Sequence, residues 1–331
     1  MPKELIKKIK EFKQKKILVI GDLILDKYTI GISERLSPEA PVPIINVTEE
    51  IYSLGGAGNT TLNIKTLGSN PHLIGILGND NEARIFEEKL KENKISYNIV
   101  FSKNSKTIKK ERVIAKRAFS QKQQIVRKDY NDHISLDLKS EKQILNNFIK
   151  NLEADIIVVS DYGKGTLSYK LLQENIIPLC KENKKIIIID PRPKNKLFYK
   201  NSSFITPNFS EACEISNLYL PFEVKNAGKI AKKIYEDLNA NVVLTMSEKG
   251  IYFYSEKFQK YFSTFEREVS DVSGAGDTVV AALAVGLANN LNYDKAILFA
   301  NHAGGVKVEK FGVQPVSLEE IINDIKLHNN L

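Results

Sequence analysis

Short runs of consecutive aliphatic residues recur along this chain, and longer amphipathic stretches separate them. Residues 16–21 read KILVIG, 72–78 HLIGILG, 155–160 DIIVVS, 185–190 KIIIID and 241–246 NVVLTM, with a shorter run at 204–207. Strands that are apolar on successive residues, rather than on alternate ones, are buried on both faces, as in a parallel sheet. Helical periodicity covers 57–67, 82–93, 140–152, 169–182 and 225–238 between these runs, and 274–289, 293–308 and 317–327 after them. This alternation predicts an α/β fold, a mainly parallel central sheet covered by helices. No stretch of the 331 residues reads as a linker, so residues 1–331 are expected to form a single domain.

Two segments break the rhythm. Residues 28–47 carry Pro38, Pro41 and Pro43, and residues 107–130 are polar and strand-like with Arg112, Lys116, Arg117, Lys122 and Arg127. Neither suits a buried sheet. Inserted where they are, they are expected to form a small β lid over the mouth of the main sheet.

Ligands of open parallel sheets bind beyond the carboxyl ends of the strands. Polar residues gather there in this chain: Gly21-Asp22 and Asp26, then 160–165 (SDYGKG), Asp190-Pro191-Arg192, Thr206-Pro207-Asn208 and 245–250 (TMSEKG). The sharpest signal is 271–277, DVSGAGD, followed at once by an apolar helical run. A turn of small residues leading into a helix gathers unpaired backbone N–H groups at the positive end of the helix dipole, which is a site for phosphate. Asp277 in the first helical turn adds a carboxylate that would repel phosphate. It suits a base that takes a proton from a hydroxyl attacking phosphorus; the plainer alternative is an acidic residue that merely favours the dipole. The residues therefore point to phosphoryl transfer. A second glycine cluster, Gly55-Gly56-Ala57-Gly58-Asn59, opens a helix, but no Gly-Lys-Ser/Thr follows to complete a Walker A loop and no dinucleotide fingerprint follows the first strand.

The GG-x-G-N helix start, the Asn208-Phe209-Ser210-Glu211 box and the late GAGD turn occur in the order and spacing of the ribokinase (PfkB-type) family of carbohydrate kinases, which this chain resembles over nearly its whole length. Residues 21–26 (GDLILD), 35–43 (RLSPEAPVP) and 206–211 (TPNFSE) resemble most closely the members that phosphorylate O1 of D-glycero-β-D-manno-heptose 7-phosphate in the synthesis of ADP-heptose, a lipopolysaccharide core precursor. The resemblance implies a ribokinase-like three-layer fold, a sugar-phosphate kinase, and ATP with Mg²⁺ as cofactors, with K⁺ left open. It implies that Asp277 is the catalytic base, with Gly274, Ala275 and Gly276 donating backbone N–H groups to the transferring phosphoryl. Asn208, Phe209, Ser210 and Glu211 would order the nucleotide, Glu211 reaching Mg²⁺ through water. Thr245, Ser247, Gly250 and Asn301 would line the nucleotide side. Asp26, Gly55, Gly56 and Asn59 would hold the sugar, and Arg35, Lys110, Arg112, Arg127 and Lys164 are the cations available to its 7-phosphate. Two departures stand out: Ser247 occupies a position where the family usually has Gly, and Arg192 one where Lys is expected. Relatives of this kind pair through the lid, so a homodimer is expected. Many carry a fused nucleotidyltransferase, whose G-x-F-D-x-x-H-x-G-H segment is missing from these residues, leaving that activity to a fused or a separate partner.

Composition narrows the alternatives. A net charge of +8 raises nucleic acid as a partner, but no aromatic–basic interleaving or binding motif accompanies it, and many lysines alternate with glutamates on helix faces. Cys180 and Cys213 are the only cysteines and fit a reduced, cytoplasmic chain. His72, His133, His302 and His328 have no metal-ligand spacing. No apolar run approaches the roughly 18 residues of a membrane span, and residues 1–16 read as a docked surface helix.

Overall fold

In chain order the elements are α1 (Pro2–Lys10), β1 (Lys16–Gly21), β2 (Leu23–Ile32), β3 (Asn46–Gly56), α2 (Ala57–Thr66), β4 (Asn70–Gly78), α3 (Asn81–Glu92), β5 (Ser96–Ser102), β6 (Ile108–Lys116), β7 (Gln123–Tyr130), α4 (Leu138–Lys150), β8 (Ile156–Ser160), a π-helical stretch (Lys170–Ile176) running into α5 (Ile177–Glu182), β9 (Ile186–Asp190), β10 (Phe204–Ile205), α6 (Phe209–Ser216), α7 (Val224–Leu238), β11 (Asn241–Thr245), β12 (Ile251–Tyr254), β13 (Gln259–Phe262), α8 (Ala275–Ala288), α9 (Tyr293–Val308) and α10 (Leu318–Leu327). The computed structural model describes residues 2–116, 123–131 and 133–328; Arg117 and Lys122 of the expected lid lie outside them.

The main sheet has nine strands in the order β13-β12-β11-β10-β9-β8-β1-β4-β5. Every pairing from β11 to β5 is parallel, and only the β11–β12 and β12–β13 pairings at one edge are antiparallel. Side chains of adjacent strand residues enter opposite cores. Ile17, Val19, Ile156 and Val158 join one apolar cluster with α2, α8 and α9, while Leu18, Ile20, Ile157 and Val159 join the other with α4, α5 and α7. The continuous aliphatic runs are thus explained by helices on both faces: three layers, as a ribokinase-like fold requires. α1 docks as expected, with Leu5 and Ile9 buried. No helix among the described residues is long and apolar enough to cross a membrane.

The lid is a four-stranded sheet in the order β3-β2-β6-β7, antiparallel at β2–β3 and β6–β7 and parallel at β2–β6. Its boundaries differ from those read in the sequence. The proline-bearing stretch between β2 and β3 is a loop, and the strand resumes over Asn46–Gly56, so that Gly55 and Gly56 end a lid strand before α2 begins. A single residue, Asp22, separates β1 from β2, so the lid rises directly from the carboxyl end of β1.

Candidate active site

α8 is buried at every residue from Asp277 to Ala288, so it can only run through the core, and its N-terminus surfaces at the carboxyl end of the main sheet. Gly274 caps it with φ 77°, and a Cβ there would lie 2.6 Å from Asn59 Nδ2, so glycine is required on both counts. In the turn, the Ala275 N–H donates to Val272 O at 3.2 Å. Of the proposed cradle, Ala275 therefore spends its donor within the turn. The next first-turn amides, of Gly276 and Asp277, have no intrahelical acceptor, and the Cα of Gly276 faces open space.

Asp277 is 5% exposed. Asn59 Nδ2 donates to its Oδ2 at 2.6 Å, while Thr60 Oγ1 at 3.0 Å and the Tyr162 hydroxyl at 2.8 Å donate to its Oδ1. α2 supplies the first two donors from its opening turn, and the loop after β8 supplies the third. Burial pushes the Asp277 carboxyl above the ordinary carboxylate range, the three donors pull it back, and the charge of Asp26 pushes with the burial. Tyr162 is itself placed by Asp22, whose Oδ2 accepts from the Tyr162 and Lys164 N–H groups at 2.8 and 2.9 Å and whose Oδ1 accepts from Thr166 N–H at 3.0 Å.

On the lid side, Asp26 of β2 meets Arg112 of β6, whose Nη1 donates to Asp26 Oδ1 at 2.6 Å; both side chains are largely buried. Gly55 of β3 leaves room for this pair, since a Cβ there would sit 2.2 Å from Asp26 Oδ2. Arg112 also lies 5.3 Å from the Tyr28 ring, and burial pushes the Tyr28 hydroxyl up to about 12. Lys110 Nζ stands 5.4 Å from the centre of the Tyr162 ring, which joins the lid to the Asp277 network. Burial lowers the Lys110 ammonium, and the charges of Arg127 and Lys164 lower it further. Arg127 forks onto Asp129, its Nε and Nη2 each donating at 2.9 Å. Arg35 is exposed on the β2–β3 loop, and among the described residues no side-chain contact ties it to Asp26 or Lys110.

Among the residues expected to order the nucleotide, Asn208 and Glu211 close a reciprocal capping box at the head of α6: Glu211 N–H donates to Asn208 Oδ1 at 3.0 Å and Asn208 N–H to Glu211 Oε2 at 2.9 Å. Phe209 and Ser210 form the first turn of that helix, and Phe209 packs edge-on against Phe222, ring centres 5.0 Å apart. The box is anchored to the sheet, because Thr245 N–H donates to Pro207 O at 3.0 Å. Ser247 adopts φ 46°. That left-handed conformation is one that glycine adopts without strain, which fits the glycine expected at this position. Gly250 turns the chain into β12, and Asn301 spends its side-chain N–H on Ser263 O at 2.9 Å.

Asp190, at the end of β9, was noted in the sequence only as a strand end. Burial raises its carboxyl well above the ordinary range, and the charges of Asp277 and Glu211 add to this. Burial also raises Glu211, against the pull of the Asn208 N–H and Arg192. No group of three or more His, Cys, Asp or Glu among the described residues is arranged to grip a metal. Carboxylates that crowd one another without forming a cage fit Mg²⁺ held through water and substrate phosphates. Tyr162, Thr60 and Asp22 were also missed as site residues. Each is adjacent to a residue the sequence did single out, but their hydroxyl and carboxylate roles depend on a meeting of α2, β8 and α8 that local spacing does not encode.

The pfkB family carbohydrate kinase profile matches residues 14–321. The bifunctional protein HldE of Aliarcobacter butzleri is 42% identical over 313 residues, and that of Helicobacter pylori strain HPAG1 is 41% identical over the same length; each match covers 93% of this chain. The chain spans only 64% and 65% of the length of these relatives. Among solved structures, phosphofructokinase-2 from Escherichia coli in complex with potassium superposes with a TM-score of 0.79 at 18% identity, covering 96% of this chain and 100% of its own. Ribokinase from Thermotoga maritima gives a TM-score of 0.68 at 22% identity over 94% and 99% of the two chains. At these identities the structures speak for the fold, and the profile for the family. The chain belongs to the pfkB family of carbohydrate kinases and is a sugar kinase.

Proposed function

We propose that this kinase transfers the γ-phosphoryl of ATP to O1 of D-glycero-β-D-manno-heptose 7-phosphate, giving the 1,7-bisphosphate on the route to ADP-heptose. The observation that carries the reading is the grip of Asn59, Thr60 and Tyr162 on Asp277 at the head of α8. A carboxylate offers about four acceptor positions. Oδ1 uses two on Thr60 and Tyr162, and Oδ2 uses one on Asn59, so the open position on Oδ2 is where a proton can be received. In the proposed step the sugar O1–H gives its proton to that oxygen as O1 bonds to the γ-phosphorus, and the bond from phosphorus to the ADP oxygen breaks. The Gly276 and Asp277 amides face the charge that develops on the transferring group, where each preorganised donor contributes about 3 kcal/mol. Phosphoryl transfer asks for such alignment and charge neutralisation more than for covalent help. Mg²⁺ bound through water near Glu211 and Asp190 would supply further neutralisation of the ATP phosphates.

On the acceptor side, Asp26 and Asn59 present a carboxylate and an amide suited to vicinal hydroxyls. Burial is the main cause of the lowered Lys110 ammonium, and repulsion from Arg127 and Lys164 adds to it against the attraction of Asp26 and Asp129. A phosphate dianion among the three cations would relieve that repulsion. Arg112 is already engaged by Asp26 and would act by holding it. Exposed apolar residues of the lid strands, Val47, Ile51, Ile125 and Val126, suit pairing of two copies through the lid. The partial coverage of relatives named bifunctional fits a nucleotidyltransferase acting on the product, fused or separate.

The test is ATP consumption with a panel of sugars and sugar phosphates. Heptose 7-phosphate should give the highest kcat/KM. Preference for another acceptor would leave a sugar kinase of this family with a different substrate.

A further inference from the structure

Lys307 lies in the last turn of α9, on a helix that packs against α8, and it is completely buried (0% exposed). Burying a lysine is costly unless its charge is met. Here the ammonium donates to Gly312 O at 2.7 Å and more weakly to Lys310 O at 3.4 Å. The charges of Asp271 and Asp277 support it, and that of Lys310 opposes it. The surroundings are thus backbone carbonyl oxygens with a carboxylate nearby, which is the chemistry that coordinates a dehydrated monovalent cation.

The same residues build the cradle. Asp271 Oδ1 accepts the Ser273 N–H at 2.8 Å and its Oδ2 accepts the Gly312 N–H at 2.9 Å, while the Ser270 and Asp271 N–H groups donate to Val308 O at 2.8 and 3.1 Å. One continuous network therefore runs from Lys307 through Gly312 and Asp271 to Ser273 and the Gly274 cap of α8. The K⁺ left open by the sequence does not fit here, because the acceptors it would need are already taken by an ammonium.

We propose that Lys307 is a tethered monovalent cation, a positioning residue whose ammonium stands where a free K⁺ would bind and fixes the 271–277 turn in its phosphate-binding form. The inference rests on the chain being an ATP-dependent kinase, not on the identity of its sugar.

The experiment compares KCl with choline chloride at equal ionic strength, reading MgATP affinity by calorimetry, Tm, and turnover. For the wild-type chain all three should be the same in both salts. Lys307→Ala should lose about 10–100-fold in turnover in choline, and regain most of it in KCl or NH₄Cl as the ion enters the vacated space. Lys307→Met, which fills that space without charge, should lose as much and regain nothing. Stimulation of the wild-type chain by K⁺ would overturn the proposal. So would a folded Lys307→Ala that is fully active in choline, or one whose loss neither ion repairs. Should Lys307→Ala not fold, the wild-type comparison and Lys307→Met decide. MgATP affinity needs no acceptor, so failure of heptose 7-phosphate as substrate would leave this test standing.

Discussion

Asn59 and Asp277, 218 positions apart in the chain, meet through a hydrogen bond of 2.6 Å that locks the first turn of α2 to the first turn of α8. The same amide excludes any side chain at Gly274. The helix start proposed to hold the sugar and the one proposed to hold the phosphate are therefore one object, and the carboxylate at their junction is oriented before any substrate arrives.

Tyr162→Phe removes one of the donors that stabilise the Asp277 anion. With less support, the carboxylate holds its proton to higher pH, and it must be deprotonated to act as a base. The acid limb of the kcat/KM profile, already placed above the ordinary carboxylate range by burial, should move to higher pH in this variant. Turnover at its plateau should fall by about tenfold. A pH–rate profile checks both, and an unmoved acid limb would speak against Asp277 as the titrating base.

Asp190→Asn should stabilise the protein and impair it. The Asp190 carboxyl is raised by burial and by neighbouring negative charge. A raised acid binds protons more tightly in the folded state, so stability rises as pH falls through its folded value, and the ionised form is destabilising above that value. Replacing it with a neutral isostere should raise stability at pH 8 by about 0.5–2 kcal/mol. Turnover should drop, because a charge proposed to hold Mg²⁺ through water is lost. Thermal melts at pH 8 and steady-state kinetics test the pairing of these effects.

Arg112→Ala leaves Asp26 buried and unpaired. Breaking a buried ion pair in this way costs about 3–5 kcal/mol, and the lid strands β2 and β6 should loosen. The double variant Arg112→Ala/Asp26→Asn, which removes both charges, should recover much of the stability but not the acceptor KM. Denaturant unfolding of the single and double variants gives the coupling.

Glu211→Gln separates the two uses of the Asn208–Glu211 box. Glutamine can still accept the Asn208 N–H, so the helix cap survives and Tm should change little. The charge is gone, so the Mg²⁺ concentration required for half-maximal rate should rise. Glu211→Ala should lose the cap as well, at about 1 kcal/mol. Magnesium titrations at fixed ATP distinguish the variants.

The central layers were legible because β1, β8, β9 and β11 are apolar on consecutive residues, a pattern that only two-sided burial explains. β3 was not, since its first six residues are exposed and the prolines before it suggest a loop. β12 and β13, four residues each, are too short to carry a period. Asp277, Asn59 and Glu211 are singled out by motifs. Asp190 and Lys307 are not: one reads as a helix-capping strand end, the other as a charge on a helix face. Their burial arises only when β9 lies under α8 and when the 308–312 turn folds back on α9.

The most direct measurement is the turnover of Asp277→Asn, in a preparation whose Tm and MgATP affinity match the wild-type chain. If Asp277 receives the sugar proton, the rate should fall by about 10²–10⁴ while both binding and stability hold. A folded, nucleotide-binding variant with near-normal turnover would contradict the account.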